Sequence, residues 1–328
     1  MSVKIAIHTT RRPNKFRHIV NIVKEELVRP EDVEFLHTPY PKDVLEIADE
    51  IDILACYTIP REAFRKADRL SWIHIGTAGI EHTIFPELIA SDVIVTNARG
   101  IHAGPASEFV IAQILHFAKN VNEFQEYKAN RQWAQWELAA RISLLSNKSI
   151  GIVGFGAIGQ QVASKAKAFN MKVIATKYSV QPDDLFAEVD VLLSRTKLSS
   201  LLKQTDYVVL TVPLTRETFH LIDARRLQEM KSTAYLINVA RGKVVDEQAL
   251  VRALRNHEIA GAALDVFEQE PLPATSPLFD LDNVLLSPHI SGNFPEYVEW
   301  ASRDFGKNLN RYLNGNRLHN IVNKERGY

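Results

Sequence analysis

Residues 149–179 read "SIGIVGFGAIGQQVASKAKAFNMKVIATKYS", and this stretch decides the fold. An apolar run leads into Gly154, Gly156 and Gly159, spaced G-x-G-x-x-G. A segment of helical period follows, and a second apolar run starts at Met171. The pattern is strand, tight turn, helix, strand. Each glycine has its own task in a nucleotide site: Gly154 permits the turn, Gly156 lets backbone approach a pyrophosphate, and Gly159 lets the helix pack close on the strand. The helix amino end then offers N–H groups and positive potential to phosphate. Residues Gly154, Phe155, Gly156, Ala157, Ile158 and Gly159 are therefore read as the pyrophosphate cradle of a dinucleotide site.

Working outward, short apolar runs alternate with helical segments along the chain, the pattern of parallel strands covered by helices. Candidate strands are 3–8, 33–37, 51–57, 70–76 and 93–97 in a first series. A second series comprises 149–155, 171–177, 206–213, 234–240, 261–266 and 283–290. Helical segments include 14–28, 106–120, 160–169 and 246–255, and the Gly and Pro of "ARGIHAGPAS" read as a hinge before the second of these. The fold class is α/β, with two doubly wound parallel-sheet domains. The boundaries place a substrate domain at 1–99 plus 290–328 and a dinucleotide-binding domain at 100–289, with a cleft expected between them.

The 39 basic and 39 acidic residues cancel, leaving no global field for nucleic acid or an anionic membrane surface. No stretch approaches the roughly 20 apolar residues of a spanning helix, and the amino-terminal apolar run is too short for a signal peptide. A single cysteine, Cys56, excludes an internal disulfide and a cysteine-based metal cluster; its apolar surroundings suggest a buried thiol. A cytoplasmic location is the expectation.

Three polar residues follow strands of the second series. Arg241 ends "YLINVARG", Glu270 lies in "LDVFEQEPLP", and His289 ends "NVLLSPHIS". In a parallel sheet all three emerge at one edge, beside the nucleotide turn. Hydride transfer to a ketone builds negative charge on oxygen, which a protonated imidazole can neutralise. A carboxylate beside an imidazole fixes its tautomer and favours its protonated form. A guanidinium presents a planar fork to a carboxylate. The set suits a 2-keto acid and its 2-hydroxy acid.

Together "VGFGAIG", "TVPLTRET", "INVARG", "LDVFEQEPLP" and "SPHISG", in that order, resemble the D-isomer-specific 2-hydroxyacid dehydrogenase family. The resemblance covers the whole chain, since "GTAGIEH" (76–82) stands where the family has its substrate-carboxylate loop. It implies a Rossmann-type cofactor domain inserted into a flavodoxin-like substrate domain, and NAD(P)-dependent interconversion of a 2-keto acid and a D-2-hydroxy acid. It assigns acid–base chemistry to His289, its support to Glu270, and substrate binding to Arg241 with the Ala78 and Gly79 backbone N–H groups. Asp265 would meet the nicotinamide carboxamide. Thr211, Val212 and Pro213 would line the adenosine side, and Val239 and Ala240 would also face the cofactor. A homodimer built largely through the inserted domain is implied, with the helix near 106–120 at the hinge. Formate dehydrogenases place glutamine where Glu270 stands, which favours hydroxy-acid chemistry. A short phosphoglycerate dehydrogenase and a dinucleotide-sensing corepressor of the same fold remain alternatives.

The adenosine end bears on cofactor choice. An NAD site usually presents an acidic side chain to the ribose after its second strand. Here Thr176, Lys177, Tyr178 and Ser179 stand there. A cation can pair with a 2′-phosphate and offers no acceptor to the hydroxyls, so NADP(H) is favoured and NAD(H) is the alternative. Trp133, Trp136, Trp300, Phe294 and Tyr297 read as packing residues before substrate contacts, and His82 and His102 as structural or solvent-facing.

Overall fold

The computed structural model describes residues 2–80, 83–181 and 184–327. Its strands are β1 (Val3–His8), β2 (Val33–His37), β3 (Ile53–Cys56), β4 (Trp72–Ile75), β5 (Ile94–Asn97), β6 (Ser149–Val153), β7 (Lys172–Lys177), β8 (Val191–Ser194), β9 (Tyr207–Leu210), β10 (Tyr235–Asn238), β11 (Gly261–Leu264) and β12 (Val284–Leu286). They form two parallel sheets, and the chain divides into two compact units.

The first unit comprises Met1–Ile101 and Phe294–Tyr328. Its sheet runs β2-β1-β3-β4-β5, the flavodoxin-like order. One face, with Ile5, Ile7 and Trp72, packs on helices Pro13–Glu25 and Tyr297–Leu313 through Ile19, Val23, Phe305 and Leu309. The other buries Leu54, Ile73 and Val95 against Val44, Ala63 and Leu88. The central strands are largely apolar because helices cover both faces, His74 on β4 being a buried exception. Cys56 is fully buried, and burial pushes its thiol up.

The second unit, His102–Asn293, carries a seven-stranded sheet in the order β12-β11-β10-β9-β6-β7-β8. The order reverses at β6 and β9, so the glycine turn after β6 opens at a topological switch point. Helix Ala103–Lys119 packs on helix Ala157–Ala168, with Val110, Ile111 and Ile114 joining Val162, Ala163 and Ala166 in one core.

Three local readings need correction. Gly104 and Pro105 lie inside the first turn of helix Ala103–Lys119, not in a hinge before it; a first-turn N–H has no intrahelical acceptor, so proline loses nothing there. Strand β8, missed in the sequence, is a short edge strand with no fully buried residue, which gives it no apolar signature. Trp133 and Trp136 are 89% and 76% exposed and Trp300 is half-exposed, so none of them is a core residue. Phe294 instead makes edge contacts with Tyr297 and Trp300, at 6.0 and 5.1 Å between ring centres. His102 Nδ1–H donates to the Gly292 carbonyl at 3.0 Å. His82 lies outside the described residues.

Candidate active site

The glycine turn is built as its spacing demands. Gly154 has φ +101°, a backbone conformation strained for other residues, and a Cβ there would meet Val212 Cγ1 at 2.7 Å and Val212 N at 2.9 Å. At Gly159 a Cβ would stand 2.4 Å from the Gly154 carbonyl oxygen, so only glycine lets the helix approach its strand. At Gly156 an added Cβ would find no atom within 4 Å. That glycine borders open space, the room a pyrophosphate needs. Gly156 is also the N-cap of helix Ala157–Ala168, so no side chain closes the helix end, and its first N–H groups have no intrahelical acceptor. These residues fit a dinucleotide's phosphates.

Neighbouring strands brace the turn. The Thr176 carbonyl accepts from Gly154 N and Phe155 N at 3.2 and 2.9 Å, and Thr211 Oγ1–H donates to the Gly154 carbonyl at 2.6 Å. Thr211 and Val212 thus sit against the turn, while the Phe155 side chain is buried in the core, leaving its backbone at the cradle. Pro213 is exposed, and its carbonyl accepts from Thr218 Oγ1–H at 2.6 Å.

At the end of β7, Thr176 is buried, whereas Tyr178 and Ser179 are exposed. Lys177 Nζ donates to Asp184 Oδ1 at 2.6 Å, and that bond, with the Gln181 N–H, holds the Asp184 carboxyl below the usual range. Lys177 therefore already has a carboxylate partner.

Arg241, Glu270 and His289 follow β10, β11 and β12, three neighbouring strands of one sheet. His289 Nδ1–H donates to Glu270 Oε2 at 2.7 Å, and Glu270 Oε1 accepts from the Phe267 N–H at 3.0 Å. With Nδ1 committed to the carboxylate, Nε2 is the nitrogen left to exchange a proton. The pair borders a cavity of about 620 Å³ whose other walls are Phe267, Pro271, Leu272, Phe279, Leu286, Ser287 and Pro288.

His289 has φ +52°, in the left-handed region. Asp265, almost fully buried, holds that conformation. Its Oδ1 accepts from Ser287 Oγ–H at 2.7 Å and Ile290 N–H at 2.9 Å, its Oδ2 from Ser291 N–H at 2.9 Å, and its carbonyl from His289 N–H at 2.9 Å. Asp265 thus organises the histidine loop.

Asn238 does the same for the arginine turn. The buried Asn238 accepts from Ala240 N at 3.0 Å and donates to the Arg241 carbonyl at 3.1 Å, while Arg241 Nη1 donates to the Ala240 carbonyl at 2.7 Å. Val239 and Ala240 are buried beneath this turn. Asn238, Ser287 and Ser291 escaped the sequence reading. An asparagine closing the apolar run "YLIN" and serines flanking "PHI" were the available signals.

In the first unit, Ala78 and Gly79 lie in the loop after β4. Asn97 Nδ2 donates to the Ala78 carbonyl at 2.6 Å, Thr77 Oγ1–H donates to the Gly79 carbonyl at 2.8 Å, and Tyr297 OH donates to the Gly76 carbonyl.

Residues 111–291 match the family model described as "D-isomer specific 2-hydroxyacid dehydrogenase, NAD binding domain". A glyoxylate reductase of Thermofilum pendens is 37% identical over 292 residues, covering 88% of this chain and 86% of that one. Among solved structures, a D-isomer specific 2-hydroxyacid dehydrogenase family protein of Aeromonas salmonicida superposes with a TM-score of 0.82 at 29% identity, covering 99% of this chain and 100% of its own. A D-isomer specific 2-hydroxyacid dehydrogenase of Xanthobacter autotrophicus Py2, solved with NADPH and MES, gives 0.83 at 25% identity with both chains fully covered.

Proposed function

The chain belongs to the D-isomer specific 2-hydroxyacid dehydrogenase family, and from that premise we propose that it reduces a 2-keto acid at C2 to the D-2-hydroxy acid, with His289 delivering the proton. It is an NAD(P)-dependent enzyme of this family, acting on keto acids. The observation that carries the assignment is the 2.7 Å bond from His289 Nδ1 to Glu270 Oε2. It orients the ring and leaves Nε2 as the acid toward a carbonyl oxygen. In the reverse direction the same nitrogen takes the hydroxyl proton. When bound, the dinucleotide supplies the hydride.

Arg241 is assigned the substrate carboxylate, because its guanidinium fork matches two carboxylate oxygens. The Ala78 and Gly79 N–H groups are proposed as carboxylate donors within the first unit. Asn97 supports that role: holding the Ala78 carbonyl turns the Gly79 N–H, across the same trans peptide, to the opposite side. Gly154–Gly159 would receive the pyrophosphate, Thr211–Pro213 the adenosine side, and Val239, Ala240 and Asp265 the nicotinamide side. The lack of an acidic side chain among Thr176–Ser179 at the end of β7 favours NADP(H) over NAD(H), in keeping with the NADPH in the Xanthobacter relative. Glyoxylate is the first keto acid to test, since relatives more than one-third identical are named for it.

The working form proposed is a homodimer. Helices Val121–Ala129 and Gln135–Ala139 bury no residue within the chain, and this segment carries the exposed Trp133 and Trp136. The two exposed tryptophans are read as contacts with a second copy.

Steady-state oxidation of NADPH with glyoxylate and larger 2-keto acids tests the reaction. His289→Ala is expected to lower turnover by roughly 10²–10⁴-fold, the contribution of a general acid, with dinucleotide affinity retained. Near-normal turnover in that variant removes His289 from the chemistry.

A further inference from the structure

Strand β8 ends beside the turn after β7, to which the cofactor reading assigns the adenosine ribose. Lys177 lies opposite Ser194 in the β7–β8 ladder. Arg195, the next residue, therefore leaves the sheet beside the "KYS" turn, and its guanidinium carbon lies 4.2 Å from the centre of the Tyr178 ring. Two cations flank one sheet edge, and their existing partners differ.

Lys177 and Asp184 form a pair whose side chains are 31% and 13% exposed, and the Lys177 ammonium also lies 5.4 Å from the centre of the Phe186 ring. Asp184 is tied in turn to the Gln181 N–H at 2.8 Å. Arg195 pairs with Glu217 through two guanidinium nitrogens, and these side chains are 44% and 52% exposed. Solvent screens an ion pair of that exposure, so little is lost when a phosphate displaces Glu217. Displacing Asp184 from Lys177 instead leaves a partly buried carboxylate without its cation. A guanidinium seated on an aromatic face is also held in position and keeps its planar fork for phosphate oxygens.

We infer that Arg195 recognises a 2′-phosphate on the adenosine ribose, with the Tyr178 ring as its platform and Glu217 as a partner it exchanges. Lys177 is then chiefly a strut, its charge answered by Asp184. The inference rests on the cofactor reading given under Proposed function and moves the selecting cation from β7 to β8.

Calorimetric titration of the full chain with 2′,5′-ADP and 5′-AMP tests it without any turnover. Wild type is expected to bind 2′,5′-ADP the more tightly. Arg195→Gln should weaken 2′,5′-ADP by about tenfold or more, the loss of a charge-assisted contact, and change 5′-AMP by less than about twofold. Lys177→Gln should cause the smaller loss of the two. Glu217→Gln, which removes the competing carboxylate, should tighten 2′,5′-ADP by about two- to threefold. Equal weakening of both nucleotides in Arg195→Gln, no weakening of either, or a larger loss in Lys177→Gln overturns the assignment. Unchanged 2′,5′-ADP affinity in Glu217→Gln overturns the exchange of partners. Discrimination through Arg195 without turnover of any keto acid would uphold this inference while removing the proposed reaction.

Discussion

At Gly242 the arginine turn meets the loop that carries Glu270. A Cβ added there would lie 1.8 Å from the Phe267 carbonyl carbon and 2.0 Å from its oxygen, and both are backbone atoms that cannot swing aside. The glycine of "VARG" is therefore needed for close approach rather than for an unusual φ. Gly242→Ala should cost on the order of 3 kcal/mol or more through overpacking. Turnover should fall with it, because Arg241 and Glu270 sit on the two backbones forced apart. Urea denaturation alongside kcat measures both, and a variant of wild-type stability would contradict the contact. Asp265 shows the same economy of space: the resemblance assigned it to the cofactor, and both its carboxylate oxygens already hold the histidine loop.

At the scale of elements, β4 and β5 of the first unit enclose a titratable group. His74 is buried on β4, 5.0 Å from the Phe305 ring, with its Nδ1 3.0 Å from Thr96 Oγ1 on β5. Burial pushes its pKa down to about 4. The folded chain thus favours the neutral ring, whereas the unfolded chain takes up a proton near pH 6.5. The stabilisation is fully present above pH 6.5 and is lost as pH falls toward 4, a total of about 3 kcal/mol. Urea midpoints measured between pH 7 and 4.5 should therefore fall more steeply for wild type than for His74→Gln. Parallel slopes would show that His74 is not the titrating group. The strands themselves were legible because central parallel strands are apolar on both faces. Edge strand β8 lacked that signal, and with it went Arg195.

For the whole molecule, the proposed dimer depends on the excursion at 121–139. Trp133 and Trp136, read from sequence as packing residues, stand largely exposed among the described residues. Sedimentation velocity should give a dimer for wild type and a shift toward monomer for Trp133→Ser with Trp136→Ser. A dimer of unchanged affinity would place the interface elsewhere.

The sequence by itself determined the two α/β sheets, the place and local geometry of the glycine turn, and the order of Arg241, Glu270 and His289 along successive strand ends. Those features are written in apolar period, glycine spacing and turn chemistry, which act over a few to about thirty residues. Tertiary structure alone decided which charge answers which. Lys177 met Asp184, Arg195 met Glu217 and Tyr178, and Asp265 took hold of the histidine loop. Such pairings follow from strand register and loop packing, so a cation's position in the chain does not reveal whether a carboxylate already holds it.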